Sequence, residues 1–211
     1  MSNLLLARSA QMGRHPLLPK EYQQVEYIES TGTQWIDTGV PAVSGLRAEF
    51  KIYSDRYSSF DGIVLGTRLK NGDRMYFLDA ERGKYCYGYG SYENANFLFV
   101  NGVAYDINAI LKRNEQRIIV DDTEILHRNL DITVNAVGNL FLFICNYVNS
   151  TNSNPFLGKV YYCRIYRDDL PLRNLIPCIN NLGNAGMYDL VSRSFFPNSG
   201  TGSFLFGNNI R

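Results

Sequence analysis

Apolar and polar residues alternate with a period of two from Leu46 to Tyr53: Leu46, Ala48, Phe50 and Ile52 fall on one face, and Arg47, Glu49, Lys51 and Tyr53 on the other. Successive side chains of an extended chain point to opposite sides, so this pattern predicts a half-buried strand. Gly62 to Thr67 predicts a short apolar strand, and Met75 to Leu78, Lys84 to Tyr89 and Asn96 to Val100 continue a meander. Arg117 to Val120 and Glu124 to Leu126 flank Asp121-Asp122-Thr123 as a further hairpin. Leu140 to Cys145 is a continuous apolar run of the kind buried on both faces. Lys159 to Arg167, Met187 to Leu190, Ser194 to Phe196 and Ser203 to Phe206 complete the series. Asn71-Gly72 and Asn101-Gly102 are hairpin signals, because both central residues of a type I′ turn need positive φ. Asn146 to Pro155 reads as a polar loop and Arg167 to Asn174 as a turn near a sheet edge. About twelve to fourteen short strands result, with no helical period longer than about one turn. Two packed antiparallel sheets are the natural way to bury them.

Composition sharpens this picture. The chain has 211 residues, enough for one domain with a full core, or one domain and an arm. Lys and Arg number 21 against 20 Asp and Glu, a net charge of +1, which gives no electrostatic case for nucleic acid or an anionic membrane. No apolar run approaches the roughly 20 residues of a membrane helix. There are 21 Asn, clustered between aromatic and β-branched runs, and Asn tolerates the left-handed turns that join strands. Cys86, Cys145, Cys163 and Cys178 lack metal-ligand spacing and read as buried thiols, although an even count leaves a disulfide open.

Residues 1–17 differ from the rest. Leu4, Leu5, Leu6, Arg8, Met12, Arg14 and His15 form a short basic and apolar arm ending at Pro16 and Pro19. Its leucines cannot be buried by the arm alone, so Leu4, Leu5, Leu6, Arg8 and Met12 are expected to dock on a partner. The three-leucine run is too short for a signal peptide, and Arg8 follows it instead of preceding it. Two units are therefore expected: the arm over 1–17 and the globular domain over 18–211.

Two motifs bracket the globular part. The first runs from Leu18 through Tyr22, Tyr27, Ser30-Thr31-Gly32 and Trp35 to Gly39, and the second is Gly186-Met187-Tyr188-Asp189-Leu190-Val191 with Phe195-Phe196-Pro197-Asn198-Ser199-Gly200-Thr201-Gly202. A third, Gly158 to Tyr166 with Leu175-Ile176-Pro177-Cys178, lies between them. Together they resemble a lectin-like jelly-roll module of concanavalin A-like and laminin G-like type that is frequent in tail and other virion proteins of gut bacteriophages and their prophages. The resemblance implies an all-β, two-sheet antiparallel jelly-roll sandwich with a short N-terminal arm, made in the bacterial cytoplasm and carried on the phage particle.

Four kinds of chemistry are open to a sandwich of this type. Sandwich glucanases of related fold place two Glu and an Asp on one strand, flanking a glycosidic bond. Glu26 and Glu29 fall on opposite faces, Asp121, Asp122 and Glu124 belong to a turn, and Asp79 and Glu81 are followed at once by Arg82-Gly83, which reads as a turn. His127 has no nucleophile elbow to serve. Calcium is left open: Asn146, Asn149, Asn152 and Asn154 offer neutral oxygens, Asp168-Asp169 offers carboxylates, and no regular calcium loop is present. The fourth is a sugar platform. Tyr85, Tyr87 and Tyr89 recur with period two and Tyr92 follows, so the first three share one face, where rings could stack on sugars. The alternative for these tyrosines, and for Trp35, is a place in the core. Arg56, Arg68, Arg74 and Arg82 read as a solvated set.

The function expected is therefore a non-enzymatic virion-associated protein. It would be anchored to other virion proteins by its arm, adhere to host-surface or mucosal glycans through Tyr85, Tyr87, Tyr89 and Tyr92, and need no cofactor, with calcium left open. Homo-oligomerisation is compatible with this layout. The alternative is a purely structural capsid or tail decoration protein that binds no sugar.

Overall fold

The computed structural model describes residues 18–59, 61–69, 72–134 and 138–210, without the side chain of Tyr92. The arm, with Leu4, Leu5, Leu6, Arg8 and Met12, lies outside the described residues. Numbered along the chain, the strands are β1 Tyr22–Gln24, β2 Ile28–Ser30, β3 Ile36–Pro41, β4 Leu46–Ser54, β5 Ile63–Leu69, β6 Arg74–Glu81, β7 Lys84–Tyr89, β8 Ser91–Leu98 and β9 Val103–Lys112. They continue as β10 Glu115–Val120, β11 Thr123–Arg128, β12 Asn139–Leu142, β13 Cys145–Val148, β14 Gly158–Arg167, β15 Leu170–Asn180, β16 Ala185–Asp189, β17 Ser194–Pro197 and β18 Leu205–Phe206. The only helical turn among the described residues is a single 3-10 turn, Tyr57–Ser59.

These strands form two sheets. The large sheet has 11 strands in the order β11-β10-β9-β4-β14-β15-β16-β17, with β1, β2 and β18 alongside. The small sheet has seven, in the order β3-β12-β5-β6-β7-β8, with β13 added to β5. Pairing is antiparallel except between β13 and β5, which run parallel. The expected all-β, two-sheet jelly roll is what the chain forms.

Alternation decides which residues meet between the sheets. Leu46, Ala48, Phe50 and Ile52 of β4 are fully buried, and Tyr105, Ile107, Ala109 and Leu111 of β9 join them. The small sheet answers with Val64, Leu65, Phe77, Leu78, Leu140 and Leu142 in the same core. Tyr57, Phe99 and Tyr105 close one end, with ring centroids 4.9 Å and 5.1 Å apart along the series. At one pair of edges Arg128 of β11 forms an ion pair with Glu93 of β8, tying large sheet to small. All four cysteines are buried and unbridged.

Three local expectations are corrected by pairing. Asn101-Gly102 is not a hairpin: β8 lies in the small sheet and β9 in the large one, so the turn carries the chain across the sandwich. Gly102 takes φ 79° while Asn101 keeps ordinary φ and bonds Ser58 through its side chain instead. The expected turn at Arg167–Asn174 is mostly strand, because Asp168-Asp169, with φ of 48° and 64°, makes a two-residue hairpin from which β15 starts. The apolar run Leu140–Cys145 is split at Phe143, whose φ of 74° turns the chain from β12 to β13.

The motifs at the two ends of the domain are staples that meet in space. Ser30 donates to the Gln34 carbonyl at 2.9 Å, and the Gln34 amide oxygen accepts from the Thr31 N–H at 2.9 Å. The Asn198 side-chain oxygen accepts from the N–H groups of Trp35 (3.1 Å) and Gly200 (2.8 Å). Gly200 must be glycine here, because a Cβ would stand 2.0 Å from the Thr33 carbonyl oxygen. Trp35, half-buried, stacks on Phe141 at 4.3 Å and packs against the edge of the core. Asp189, fully buried, accepts from Asn174 N at 2.7 Å, from Val191 N and Ser192 N at 3.1 Å each, and from the Ser192 hydroxyl at 2.7 Å.

Candidate functional site

The tyrosine series of β7 does not face solvent. Tyr85 is fully buried and its hydroxyl donates to the Phe77 carbonyl at 2.5 Å. Tyr87 and Tyr89 are 2% and 1% exposed in the same core, and the Tyr87 hydroxyl reaches Glu93 at 3.2 Å at the sheet edge. Burial pushes the ionisation of all three phenols upward. The platform proposed for Tyr85, Tyr87 and Tyr89 is thus corrected. Period two does put these rings on one side of β7, and it is the inner side, so no ring face is open to a sugar.

The outward side of the small sheet holds something else. In β6 Met75, Phe77, Leu78 and Ala80 all belong to the main core, which leaves Arg74, Tyr76, Asp79 and Glu81 for the other face. Two adjacent inward residues, Phe77 and Leu78, require a bulge, and the β6–β7 register shifts between Tyr76 and Asp79. The neighbour β5 does the same with Val64 and Leu65, and its register to β6 shifts on both sides of Leu65. Without the bulge in β6, strict alternation from Tyr76 would bury Asp79 and Glu81 and expose Leu78 and Ala80. Asp79 and Glu81, expected in a turn, lie on β6, and the turn begins only at Arg82-Gly83 (φ 48° and 84°).

Tyr76 lies on this outward surface between two glycines. Its register partners are Gly66 on β5 and Gly88 on β7. A Cβ on Gly66 would stand 2.7 Å from the ring and one on Gly88 2.8 Å from it, so both absences make room for the ring to lie flat on the sheet. Ile63, Cys145 and Tyr147 complete a small apolar cluster around Tyr76, separate from the main core. Burial raises the Tyr76 phenol above its ordinary value, and nearby Arg68 and Arg74 oppose that rise. Burial also pushes the Cys145 thiol up to about 12.

Above this floor is a cleft of about 190 Å³ lined by Asp61, Ile63, Arg68, Arg74, Tyr76, Asp79, Glu81 and Asn154. β13 and the loop after it form one wall and are fastened to the sheet: the Asn154 carbonyl accepts from Ile63 N at 2.9 Å, and Thr67 donates to the Asn146 carbonyl of β13 at 3.0 Å. Charge is unevenly spread along the cleft. Arg68 and Arg74 stand opposite one another at one end. Asp79 and Glu81 stand at the other, where Asp61 lies 3.9 Å from Arg82 and Glu81 accepts from the Cys86 thiol at 3.3 Å. Guanidinium donors, carboxylate acceptors and the Asn154 amide together match hydroxyl groups, each of which donates and accepts. Tyr76 is 2% exposed, so it offers the cleft no open ring face.

Sequence reasoning missed this cleft because it scattered Arg68 and Arg74 over a solvated face. It also missed a row of half-buried tyrosines on the outward face of the large sheet, formed by Tyr27, Tyr53, Tyr161, Tyr162 and Tyr166. Each has a cation over its ring: Lys159 over Tyr27 (4.3 Å) and Tyr53 (4.8 Å), Lys51 over Tyr161 (5.9 Å), Arg164 over Tyr162 (4.8 Å) and Arg47 over Tyr166 (3.9 Å). That row is a self-satisfied surface. The oxygens considered for calcium are divided: the Asn146–Asn154 loop borders the cleft, whereas Asp168-Asp169 turns the β14–β15 hairpin and Asp169 lies 3.6 Å from Arg47. Among the described residues no three His, Cys, Asp or Glu side chains converge as a metal set. His127 is exposed beside Glu124 at 3.6 Å. No helix among the described residues is long and apolar enough to cross a membrane.

Comparison with known proteins places the fold. No family model matches the chain, and no curated protein matches it by sequence. Among solved structures it is similar to a candidate carbohydrate-binding protein from Bacteroides ovatus, with TM-score 0.63 and 11% identity, over 89% of this chain and 62% of that one. It is also similar to domains LG4-5 of the mouse laminin α1 chain, with TM-score 0.53 and 16% identity, over 85% of this chain and 47% of that one. The chain thus spans less than two thirds of either structure. At these identities the likeness concerns the fold. The class so defined is the two-sheet antiparallel jelly-roll sandwich of laminin G-like type.

Proposed function

We propose that this chain is a glycan-binding jelly roll without catalytic activity, and that the outward cleft on β5 and β6 is its binding site. The observation that carries this is the paired bulge, which turns Arg74, Tyr76, Asp79 and Glu81 to one side of a sheet whose other side is sealed core. Bulges recur next to binding sites because they re-aim side chains. A solved neighbour described as a candidate carbohydrate-binding protein supports the same reading. Catalysis is disfavoured because the outward position before Asp79 is Tyr76, where a three-acid strand would carry another carboxylate.

The setting is the surface of a bacteriophage particle, with the jelly roll displayed and the arm over 1–17 holding it to other virion proteins. The motif resemblance supports that setting. Weak monovalent adhesion to host or mucosal glycans would suffice there, since many copies multiply avidity. The second reading, a decoration component that binds no sugar, draws on the exposed Leu98 and Val100, 66% and 59% accessible at one end of the sandwich, where a neighbouring subunit could cover them.

An array of host capsular and mucin glycans, probed with a multivalent display of the protein, tests the proposal. Saturable binding is expected. Glu81→Gln and Asp79→Asn should each weaken it about tenfold or more, the loss of one or two charge-assisted hydrogen bonds. No reducing ends should be released. Binding left intact in both variants would move the site elsewhere, and absence of all binding would favour the decoration role.

A further inference from the structure

Arg68 and Arg74 are direct partners across β5 and β6, both directed outward and both half-buried. Like charges in opposed positions of a sheet repel, so such a pair persists where something else compensates it. The Arg68 guanidinium is stacked on the Tyr147 ring at 4.6 Å, and its Nε is buried without a hydrogen-bond partner. No carboxylate among the described residues forms an ion pair with it. A cation lying over an aromatic ring, lining a cleft and without an ion-pair partner among the described residues, can receive an anion. The opposite end of the cleft limits what that anion can be. Asp61, Asp79 and Glu81 line it, so two cations stand against three carboxylates. A dense polyanion such as a nucleic acid or a heavily sulfated chain would place charge against those acids and be repelled. A ligand with one carboxylate at the arginine end and hydroxyls at the acid end fits both halves.

We infer that the cleft takes an acidic glycan of sparse charge, oriented with a sugar carboxylate on Arg68 and neutral hydroxyls toward Asp79, Glu81 and Asn154. This rests on the glycan reading and adds the chemical class and direction of the ligand.

The test uses the full chain and a set of immobilised oligosaccharides carrying single hexuronate or sialate residues, each paired with its carboxyl-reduced form, which keeps the backbone and loses the charge. The intact protein is expected to bind at least one acidic form tenfold or more tighter than its reduced partner, and to bind heparin no better than the reduced forms. Arg68→Gln should abolish the preference, so that the acidic form and its reduced partner bind alike. If that variant melts early, Arg68→Met, which keeps an apolar stem on Tyr147, is read in its place. Equal binding of acidic and reduced forms would overturn this inference and leave the glycan reading standing. Binding to neither would overturn both. An acid preference that survives loss of Arg68, or tightest binding to heparin, would show that the carboxylate is read elsewhere or that the cleft is a general anion site, and either result defeats the assignment.

Discussion

Single residues show where a correct pattern still leaves a choice. Tyr85, Tyr87 and Tyr89 share one face as period two requires, but the period does not say which face is inside. The inner side goes to the tyrosines because the outward positions between them, Cys86 and Gly88, are small and leave space for Glu81, Asn94 and the Tyr76 ring. Tyr85→Ala should therefore cost about 3–5 kcal/mol in urea unfolding, while Tyr85→Phe, which loses only the bond to the Phe77 carbonyl, should cost about 1 kcal/mol. Neither should change glycan affinity once the folded fraction is accounted for; a selective loss of binding in Tyr85→Phe would restore the platform idea. Asp189 is the counterpart among the motif residues. The sequence marked it only through a family resemblance, and the structure supplies the reason: one buried carboxylate receives three backbone N–H groups and a hydroxyl, with Arg173 3.8 Å away. Asp189→Ala should destabilise by about 3–5 kcal/mol, because those donors and the guanidinium lose their acceptor together. A melting temperature within a degree or two of the parent would contradict this.

Among the elements, regular strands were legible and irregular ones were not. β4 alternates strictly and its inward residues were read off directly, since one period decides everything there. In β5 and β6 the run of apolar residues conceals a change of phase. A bulge is settled by the partner strand and by which residues the opposite sheet can bury, and neither is visible in one strand's own pattern. The same holds for β13, which pairs parallel to β5 after the turn at Phe143, and for the crossover at Asn101-Gly102. Since the bulges and the two glycines together create the cleft, Gly88→Ala gives a test at this scale. The added methyl would meet the Tyr76 ring at 2.8 Å and the Arg74 stem at 2.9 Å. Overpacking of this kind costs about 1–3 kcal/mol. Glycan affinity should fall with it, because the ring and Arg74 must both shift outward. Ala tolerated with full stability and full binding would mean that the floor of the cleft is not tightly built.

At the scale of the whole molecule, the two ends of the domain close on each other through Asn198, Trp35 and Gly200, and this is why the end motifs could be recognised as belonging together. The fold was the most legible property because it depends on many weak, repeated signals. The site was the least legible because it depends on where a few bulges fall. Titration is also a global property here. Burial raises the thiols of Cys145, Cys163 and Cys178 from 9.0 to about 12, and the phenols of Tyr57 and Tyr85 above 10.0. Above about pH 9 the unfolded chain releases protons that the folded chain retains, so the unfolded state binds fewer protons and unfolding becomes easier as pH rises. Stability should be level through neutral pH and fall steadily from about pH 9 toward pH 12, and urea midpoints at pH 7.5, 9 and 10.5 check it; a flat profile would mean that the thiols titrate normally.

The proposed site puts glycans on the small sheet, on the side away from the core. Its most direct test is chemical-shift mapping of the isotope-labelled full chain titrated with an oligosaccharide that the array identifies as a binder. The account predicts saturable shifts confined to the amides of Arg68, Arg74, Tyr76, Asp79, Glu81 and Asn154 and their neighbours. Shifts centred instead on Tyr27, Tyr53 and Tyr161 of the large sheet would contradict it.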